Sequence, residues 1–262
     1  MKALECSKSF CIFVNKIKNI MRYFNNLDTN NGQSAALHLT EEQIQVLLTG
    51  KFGDGCFVQT PNQVYYGTCC IHEEYIKFKA HLLGDLASKV TVIENNGYKK
   101  RLIYRLFTNA DPRICLIADE SLEDSLNRMN DLGLALWIYD DGSKHKDKDF
   151  YQINTQKYSK DVLESIFVPF LKTKFNITAT PTIERKKDGR EFWYLRVSKY
   201  CGADTINSIL QKYPVECFKY KMWGSETIQK WSKLQEELKS EDIDIHSLSS
   251  RAISALLKKI EI

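Results

Sequence analysis

The feature that most constrains the fold of this chain is a short motif that occurs twice. One copy spans residues 47–55 with the sequence LLTGKFGDG, and the other spans residues 134–142 with the sequence LALWIYDDG. Each copy is an apolar run that ends in an acid and a glycine, and the two acids, Asp54 and Asp141, lie 87 positions apart. This period is far too long for a solenoid, so the motif predicts a chain built from two similar halves.

The two acids indicate a metal site. If the motifs are helices packed side by side, Asp54 and Asp141 meet at their lower ends, where a pair of acids can hold a divalent metal for phosphodiester cleavage. A helix C-terminus repels negative charge, so acids there are unfavourable unless a cation neutralises them. Small residues permit such close packing of two helices, and bulky ones are expected to face the cores of the halves. The small residues are Gly50, Gly53 and Ala135, and the bulky ones are Trp137 and Tyr139.

Each half is predicted to run helix, hairpin, helix, hairpin, helix. Residues 40–43 form a capping box that starts the first motif helix, and Gly55 is expected to end it. The sequence Asn95-Asn96-Gly97 is a strong signal for a hairpin turn. Residues 108–129 are expected to be less regular, and residues 144–149 to form a charged loop. We expect an N-terminal extension at 1–34, a first half at 35–125, a second half at 126–223 and a helical C-terminal tail at 224–262.

The composition is that of a globular chain with a mild positive charge. Its 262 residues are enough for a real core, and the 43% hydrophobic content argues against global disorder. A net charge of +4 barely favours nucleic acid by itself, but basic clusters beside strand-like segments are candidate phosphate contacts. The eight cysteines form no zinc pattern, and no stretch approaches the roughly 20 apolar residues of a membrane span. We expect no membrane partner and a location in the cytoplasm, an organelle or a phage-infected cell, without secretion.

Three sequence elements of the second half occur in the order of a known family. Residues 134–142 resemble its "LA-x-W-x-x-DDG" motif, residues 154–159 (NTQKYS) resemble its "N-T-Q-x-F-S" junction, and residues 220–222 (YKM) resemble its "Y-K-apolar" element. Over residues 40–223 the chain therefore resembles the LAGLIDADG homing endonucleases in their single-chain form with two motifs. The resemblance implies an α+β fold of two pseudo-symmetric αββαββα halves, whose antiparallel sheets form a DNA-binding saddle with the motif helices at the central interface.

The resemblance also implies the catalytic residues. It identifies Asp54 and Asp141 as the metal-binding acids and Lys221 as a basic residue near the scissile phosphate. Their neighbours Gly53 and Asp140 are included in the metal site, although Asp140 is expected to point elsewhere. The implied cofactor is Mg²⁺, for which Mn²⁺ is expected to substitute.

Two departures from the family pattern lie in the first half. The stretch that should supply a lysine equivalent to Lys221 contains Arg113 instead, and a guanidinium group stays protonated and is no base. Lys51 occupies a motif position that is usually apolar. The missing lysine predicts that the two DNA strands are cut at unequal rates.

The strands are the expected DNA-binding surface, because a curved β-ribbon fits the major groove and alternation turns one face towards DNA. In the last hairpin, Arg196 shares a face with Phe192, Tyr194 and Ser198. The predicted groove residues are Tyr66, Thr68, Arg101, Arg105, Lys186, Arg190 and Arg196.

The sequence thus predicts a monomeric endonuclease that cleaves both strands of a long, asymmetric duplex DNA site by metal-dependent hydrolysis, with a role in the mobility of an intron or of its own gene. No splicing blocks flank the motifs, so an intein host is not expected. One alternative is an RNA maturase that binds intron RNA and assists group I intron splicing. The other is a catalytically inactive DNA-binding protein of the same fold. Both metal acids are retained, which favours the enzyme, and the missing first-half lysine favours the inactive protein.

Overall fold

The computed structural model describes residues 38–260, except 61–62, 96–100, 146–149, 187, 199–201, 245–247 and 249. Within these residues the chain forms two similar halves, each with a motif helix, a four-stranded antiparallel sheet and further helices. The predicted α+β fold of two pseudo-symmetric halves is confirmed. The predicted N-terminal helix and the turn residues Asn96 and Gly97 lie outside the described residues.

The first half begins with its motif helix. A capping box starts this helix, because Thr40 Oγ1 accepts from the Gln43 N–H and Gln43 Oε1 accepts from the Thr40 N–H. The elements in order are α1 (Glu41–Gly50), β1 (Gly55–Gln59), β2 (Val64–Cys70), α2 (Glu73–Leu83), a 3-10 turn (Gly84–Leu86), β3 (Thr91–Asn95), β4 (Arg101–Phe107), α3 (Pro112–Ala118) and α4 (Leu122–Arg128).

The second half repeats this order. Asn130 caps its motif helix, since the Asn130 side-chain oxygen accepts from the N–H groups of Leu132 and Gly133. The elements are α5 (Asp131–Asp141), β5 (Gly142–Lys144), β6 (Phe150–Asn154), α6 (Lys160–Val162, a π-helical segment Leu163–Phe167, and Val168–Phe175), β7 (Ala179–Arg185), β8 (Glu191–Ser198), α7 (Ala203–Lys212) and a 3-10 helix (Glu216–Lys221).

The two sheets have the same topology and each has one buried face. Their strand orders are β1-β2-β4-β3 and β5-β6-β8-β7. In the first sheet Thr68 lies opposite Leu106 and both are buried, whereas Cys69 lies opposite Arg105 and both are exposed. Directly opposed residues share a face, so one face of each sheet covers the core and the other stays open.

The motif helices α1 and α5 pack against each other. Gly133 makes this approach possible, because a Cβ there would overlap the side-chain oxygen of Gln45. Gln45 also ties the helix starts together, since it donates to the Arg128 carbonyl and accepts from the Asn130 N–H at 3.0 Å. The expectation that Trp137 and Tyr139 are core residues is confirmed, because both side chains are buried.

Three local predictions are wrong. Helix α1 ends at Gly50 and not at Gly55, because the chain tightens into turns in which the N–H groups of Phe52 and Gly53 both donate to the Thr49 carbonyl. Residues 108–129 contain helices α3 and α4, which begin at the capping residues Asp111 and Ser121. Lys144, expected to begin the charged loop, is instead the last residue of strand β5, which is too short to produce a recognisable pattern, and residues 146–149 of that loop lie outside the described residues.

The predicted C-terminal helices are present as α8 (Ser225–Ser240) and α9 (Ser250–Leu257). They bury a small hydrophobic cluster of their own around Trp231, Leu234 and Ile253. Among the described residues, no helix combines the length and hydrophobicity that a membrane span requires.

Candidate functional site

The two motif acids lie where the halves meet. Asp54 follows the turn after α1, and Asp141 is the last residue of α5. The segments adjoin closely, because a Cβ built on Gly53 would lie 2.6 Å from the Cβ of Asp140. Gly53 and Asp140 are therefore in direct contact across the interface between the halves, and Asp54 and Asp141 follow them in the sequence.

Burial and the repulsion between neighbouring carboxylates dominate the electrostatics of both acids, although lysines lie nearby. Burial first, and then the charges of Asp54 and Asp140, raise the pKa of Asp141 to about 7. Asp54 is exposed as a residue, yet desolvation of its carboxyl group and the charge of Asp140 raise its pKa, while Lys79 and Lys221 oppose this effect. A divalent cation would remove this repulsion.

The set of donors fits magnesium. The described residues contain no group of three or more His, Cys, Asp or Glu side chains that could hold a metal by themselves. Mg²⁺ in proteins is commonly bound by one or two carboxylates, and waters and substrate phosphates complete its octahedron. Asp54 and Asp141 supply such a pair of hard oxygen donors, so the residues present fit Mg²⁺ or Mn²⁺ in a complex with a phosphate-bearing substrate.

Asp140 has other partners, as its expected orientation suggested. Lys79 donates to both of its carboxylate oxygens, at 2.8 and 2.9 Å, and the Tyr75 hydroxyl donates to Oδ1 at 2.7 Å. The side chains of Lys79 and Asp140 are 0% and 1% exposed. A buried ion pair thus occupies both carboxylate oxygens of Asp140, which disfavours this side chain as a ligand in the predicted metal site. Gly53 carries no side chain, and its role is to admit Asp140 at this contact.

Lys221 is the last residue of the 3-10 helix, and its side chain reaches the C-terminal end of the second motif helix α5. Its ammonium group donates to the carbonyl oxygens of Ile138 and Tyr139, at 3.0 and 2.6 Å. It also lies 4.6 Å from the centroid of the Phe218 ring. Burial lowers the pKa of Lys221 to about 8, against the opposing charges of Asp140, Asp54 and Asp141. The charges of both motif acids therefore act on Lys221, and its catalytic role stays a prediction.

Sequence reasoning missed two further lysines at this centre. Lys157 donates to the Lys51 carbonyl, and desolvation lowers its pKa while the charge of Asp141 opposes the shift. It lies inside the NTQKYS element, so the resemblance could have drawn attention to it. The signal for Lys79 is a lysine on the apolar stripe of α2, one turn after the buried Tyr75.

The two departures in the first half have structural explanations. Lys51 donates to the Ile117 and Glu120 carbonyls and to Ser125 Oγ, so it binds carbonyls left open at the end of α3. Arg113 forms ion pairs with Asp111 and Asp85. It is therefore committed to the start of α3 and does not replace the missing lysine.

The open faces of the sheets contain three of the seven predicted groove residues, Arg101, Arg105 and Arg196. Arg105 and Arg196 are exposed and lie opposite Cys69 and Gln152. Arg196 also stacks its guanidinium 4.5 Å from the Phe150 ring centroid. The other exposed residues of the predicted set are Arg101, Lys186 and Arg190, the last two paired with Glu184 and Asp188.

Tyr66 and Thr68 are on the wrong face for DNA. Tyr66 is 0% exposed, and its ring lies against Gly50 and Gly55 in the core. Thr68 is buried, and its hydroxyl donates to the Asp54 carbonyl. The prediction that they contact DNA is wrong by one residue of strand register, because the open face of β2 carries Tyr65, Gly67 and Cys69.

The comparisons agree with this architecture. The model of the LAGLIDADG DNA endonuclease family matches residues 52–200. This match covers more than half of the sequence, and the chain belongs to the LAGLIDADG DNA endonuclease family.

The I-WcaI structure supports this fold, and two further solved structures are similar to the chain at lower TM-scores. The homing endonuclease I-WcaI bound to its DNA recognition sequence is 19% identical, with a TM-score of 0.60 over 71% of this chain and 87% of that chain. I-DmoI in complex with DNA and Mn is 16% identical, with a TM-score of 0.42 over 64% of this chain and 97% of that chain. Full-length DUF199/WhiA from Thermatoga maritima is 12% identical, with a TM-score of 0.44 over 85% of this chain and 68% of that chain. Comparison with curated proteins found no match.

Proposed function

We propose that this protein is a site-specific endonuclease that cleaves both strands of a long, asymmetric duplex DNA site by metal-dependent phosphodiester hydrolysis. The proposal rests on one observation: Asp54 and Asp141 each lie next in sequence to a residue of the contact between Gly53 and Asp140, which joins the two halves. Membership of the LAGLIDADG DNA endonuclease family supports it.

The protein's own residues would bind metal and organise charge at the scissile phosphates. Asp54 and Asp141 would hold Mg²⁺, or Mn²⁺ in its place, and the ion supplies Lewis-acid stabilisation and an activated water when bound. Lys221 uses two of its three N–H donors on the Ile138 and Tyr139 carbonyls. On binding of DNA, the third donor would serve a phosphate oxygen or a water. Because burial lowers the pKa of Lys221 to about 8, this group can exchange a proton with such a water near neutral pH.

The open faces of the two sheets would bind the duplex. Arg101 and Arg105 on the first sheet and Arg196 on the second place positive charge along exposed strand faces. Since one chain supplies both halves and both motif acids, we propose a monomer on DNA. We also propose a reducing compartment, in which thiols such as those of Cys56, Cys69, Cys70 and Cys217 stay reduced. We propose mobility of an intron or of the gene itself as the biological role.

A catalytically inactive DNA-binding protein is the second candidate. The observation that favours it is the asymmetry of the lysines. In the part of the chain that the structure describes, the first-half lysine whose charge acts on Asp54 is Lys79, which is committed to Asp140 and fully buried.

A cleavage assay on plasmids that carry the DNA locus next to the gene separates these functions. We expect linear product with Mg²⁺ and intact plasmid with EDTA, and Asp54→Asn serves as the inactive control. Specific binding without cleavage in Mg²⁺ and in Mn²⁺ would favour the inactive DNA-binding protein.

A further inference from the structure

Helix α2 belongs to the first half, yet its polar side chains reach the second half at two places. Glu74, Tyr75 and Lys79 all have hydrogen-bond partners there. The partners lie in the two segments that hold Asp141 and Lys221.

The first place is the end of the second motif helix. Lys79 and Tyr75 together make three hydrogen bonds to the Asp140 carboxylate, and the Tyr75 hydroxyl also lies 3.2 Å from the Leu136 carbonyl. A buried charge without its partner is strongly unfavourable, so Asp140 is held wherever Lys79 places it. Asp141 follows directly in the chain, and its backbone position is fixed by the same contact.

The second place is the 3-10 helix Glu216–Lys221. The Glu74 carboxylate accepts from the backbone N–H groups of Glu216 and Cys217, at 2.7 and 3.0 Å. These are open donors at the start of a helical segment, where an anion is favourable. The next residue, Phe218, packs against Tyr75 and His72. Lys221 is the last residue of the same 3-10 helix.

We propose that helix α2 is a clasp across the two halves, in which Lys79 positions Asp141 through Asp140 and Glu74 positions Lys221 through the 3-10 helix. Both are positioning residues. Lys79 cannot itself contact DNA, because it is 0% exposed and both oxygens of Asp140 bind it. The assignment rests on the proposed function for the roles of Asp141 and Lys221, but the contacts of the clasp do not depend on catalysis.

The same helix offers matched controls. Lys77 and Glu73 form an exposed ion pair with each other on the outer side of α2. Lys77→Met and Glu73→Gln therefore make the same chemical changes as Lys79→Met and Glu74→Gln, one or two residues away and outside the clasp.

Mn²⁺ binding to the whole protein is the first readout, measured by electron paramagnetic resonance of the free ion. Supporting groups of metal ligands typically contribute about 10- to 100-fold in affinity, and we expect Lys79→Met to lose an amount in that range. Lys77→Met should stay close to the wild-type affinity. Leu171→Ala, a cavity variant in α6, controls for lost stability, because it destabilises a buried position outside these contacts.

Amide hydrogen exchange is the second readout and needs neither metal nor activity. Glu74→Gln should speed exchange in residues 216–221, and Lys79→Met should speed it in residues 138–142. The control variants Glu73→Gln and Lys77→Met should leave exchange in these segments unchanged. The double variant Lys79→Met/Asp140→Asn removes both charges, so it should regain much of the urea resistance that Lys79→Met alone loses.

The outcomes separate the clasp from the proposed function. The expected exchange and Mn²⁺ changes in a protein that cuts no DNA would overturn the endonuclease and leave the clasp standing. If Lys79→Met lowers stability but keeps wild-type Mn²⁺ affinity, as Leu171→Ala should, Lys79 is a purely structural residue and the clasp is overturned. Unchanged exchange in residues 216–221 of Glu74→Gln would equally overturn the role of Glu74.

Discussion

The ammonium group of Lys221 donates to the backbone carbonyl of Tyr139 at 2.6 Å, two residues before Asp141. Lys221 is thus bound to the end of helix α5, whose last residue is the proposed metal ligand Asp141. Within the described residues, the first half has no lysine in the equivalent arrangement at the end of α1, since Lys51 binds carbonyls around α3 and Lys79 binds Asp140.

This asymmetry predicts unequal cleavage of the two strands. Lys221→Met should slow one strand more than the other, because it removes a positive charge and a donor from one scissile phosphate only. Plasmid cleavage with each strand end-labelled measures both rates, and nicked plasmid should accumulate even with the wild-type protein. Simultaneous cutting of both strands, unchanged in Lys221→Met, would contradict the prediction.

Arg196 tests whether the open sheet face binds DNA. If it contacts a phosphate, Arg196→Ala should flatten the slope of log affinity against log salt by about 0.9, the contribution expected per phosphate. If it reads guanine, the variant should relax specificity at one base pair at a cost of about 1–3 kcal/mol. Binding to singly substituted sites at several salt concentrations separates the two results.

Arg185→Ala is the matched control for Arg196→Ala. Arg185 is also exposed on the second sheet, but it is paired with Glu191 near the end of the β7–β8 hairpin. An Arg196→Ala variant that changes neither the salt slope nor the specificity would show that this face points away from DNA.

The contact between the motif helices is tested by Gly133→Ala. The added Cβ would overlap the buried side chain of Gln45, so the variant should lower the free energy of unfolding by about 1–3 kcal/mol, the usual cost of overpacking. Urea unfolding measures the loss. Gly224→Ala is the control, since no atom lies within 4 Å of a Cβ built there, and equal stability of both variants would contradict the close packing.

The sequence predicted the parts of this structure that repeat or alternate. The two motifs predicted the two halves, and the capping box at Thr40 predicted the start of α1. Arg105 and Arg196 were placed on the open faces correctly. Tyr66 was placed wrongly, because three consecutive residues of β2, Tyr66, Gly67 and Thr68, are buried, so its alternation is too weak to fix the register from the sequence.

The clasp could not be predicted in this way. The contacts of Lys79 and Glu74 join residues 61 to 143 positions apart in the chain. No local pattern encodes which acid faces a buried lysine, and only the packing of the halves brings Lys79 to Asp140. The close approach of β2 to the end of α1 could not be predicted either. The Tyr66 ring leaves no room for a Cβ on Gly50.

Variants of the two motif acids directly test whether Asp54 and Asp141 bind the catalytic metal. Asp54→Asn and Asp141→Asn should each abolish double-strand cleavage in Mg²⁺, because each amide is a weaker metal ligand than the carboxylate it replaces. Both variants should keep the wild-type fold by circular dichroism and bind the target in Ca²⁺. Single-turnover cleavage of a labelled target duplex is the measurement. We expect no double-strand product from either variant. Near-wild-type cutting of both strands by either variant would contradict the proposal that Asp54 and Asp141 are the metal ligands.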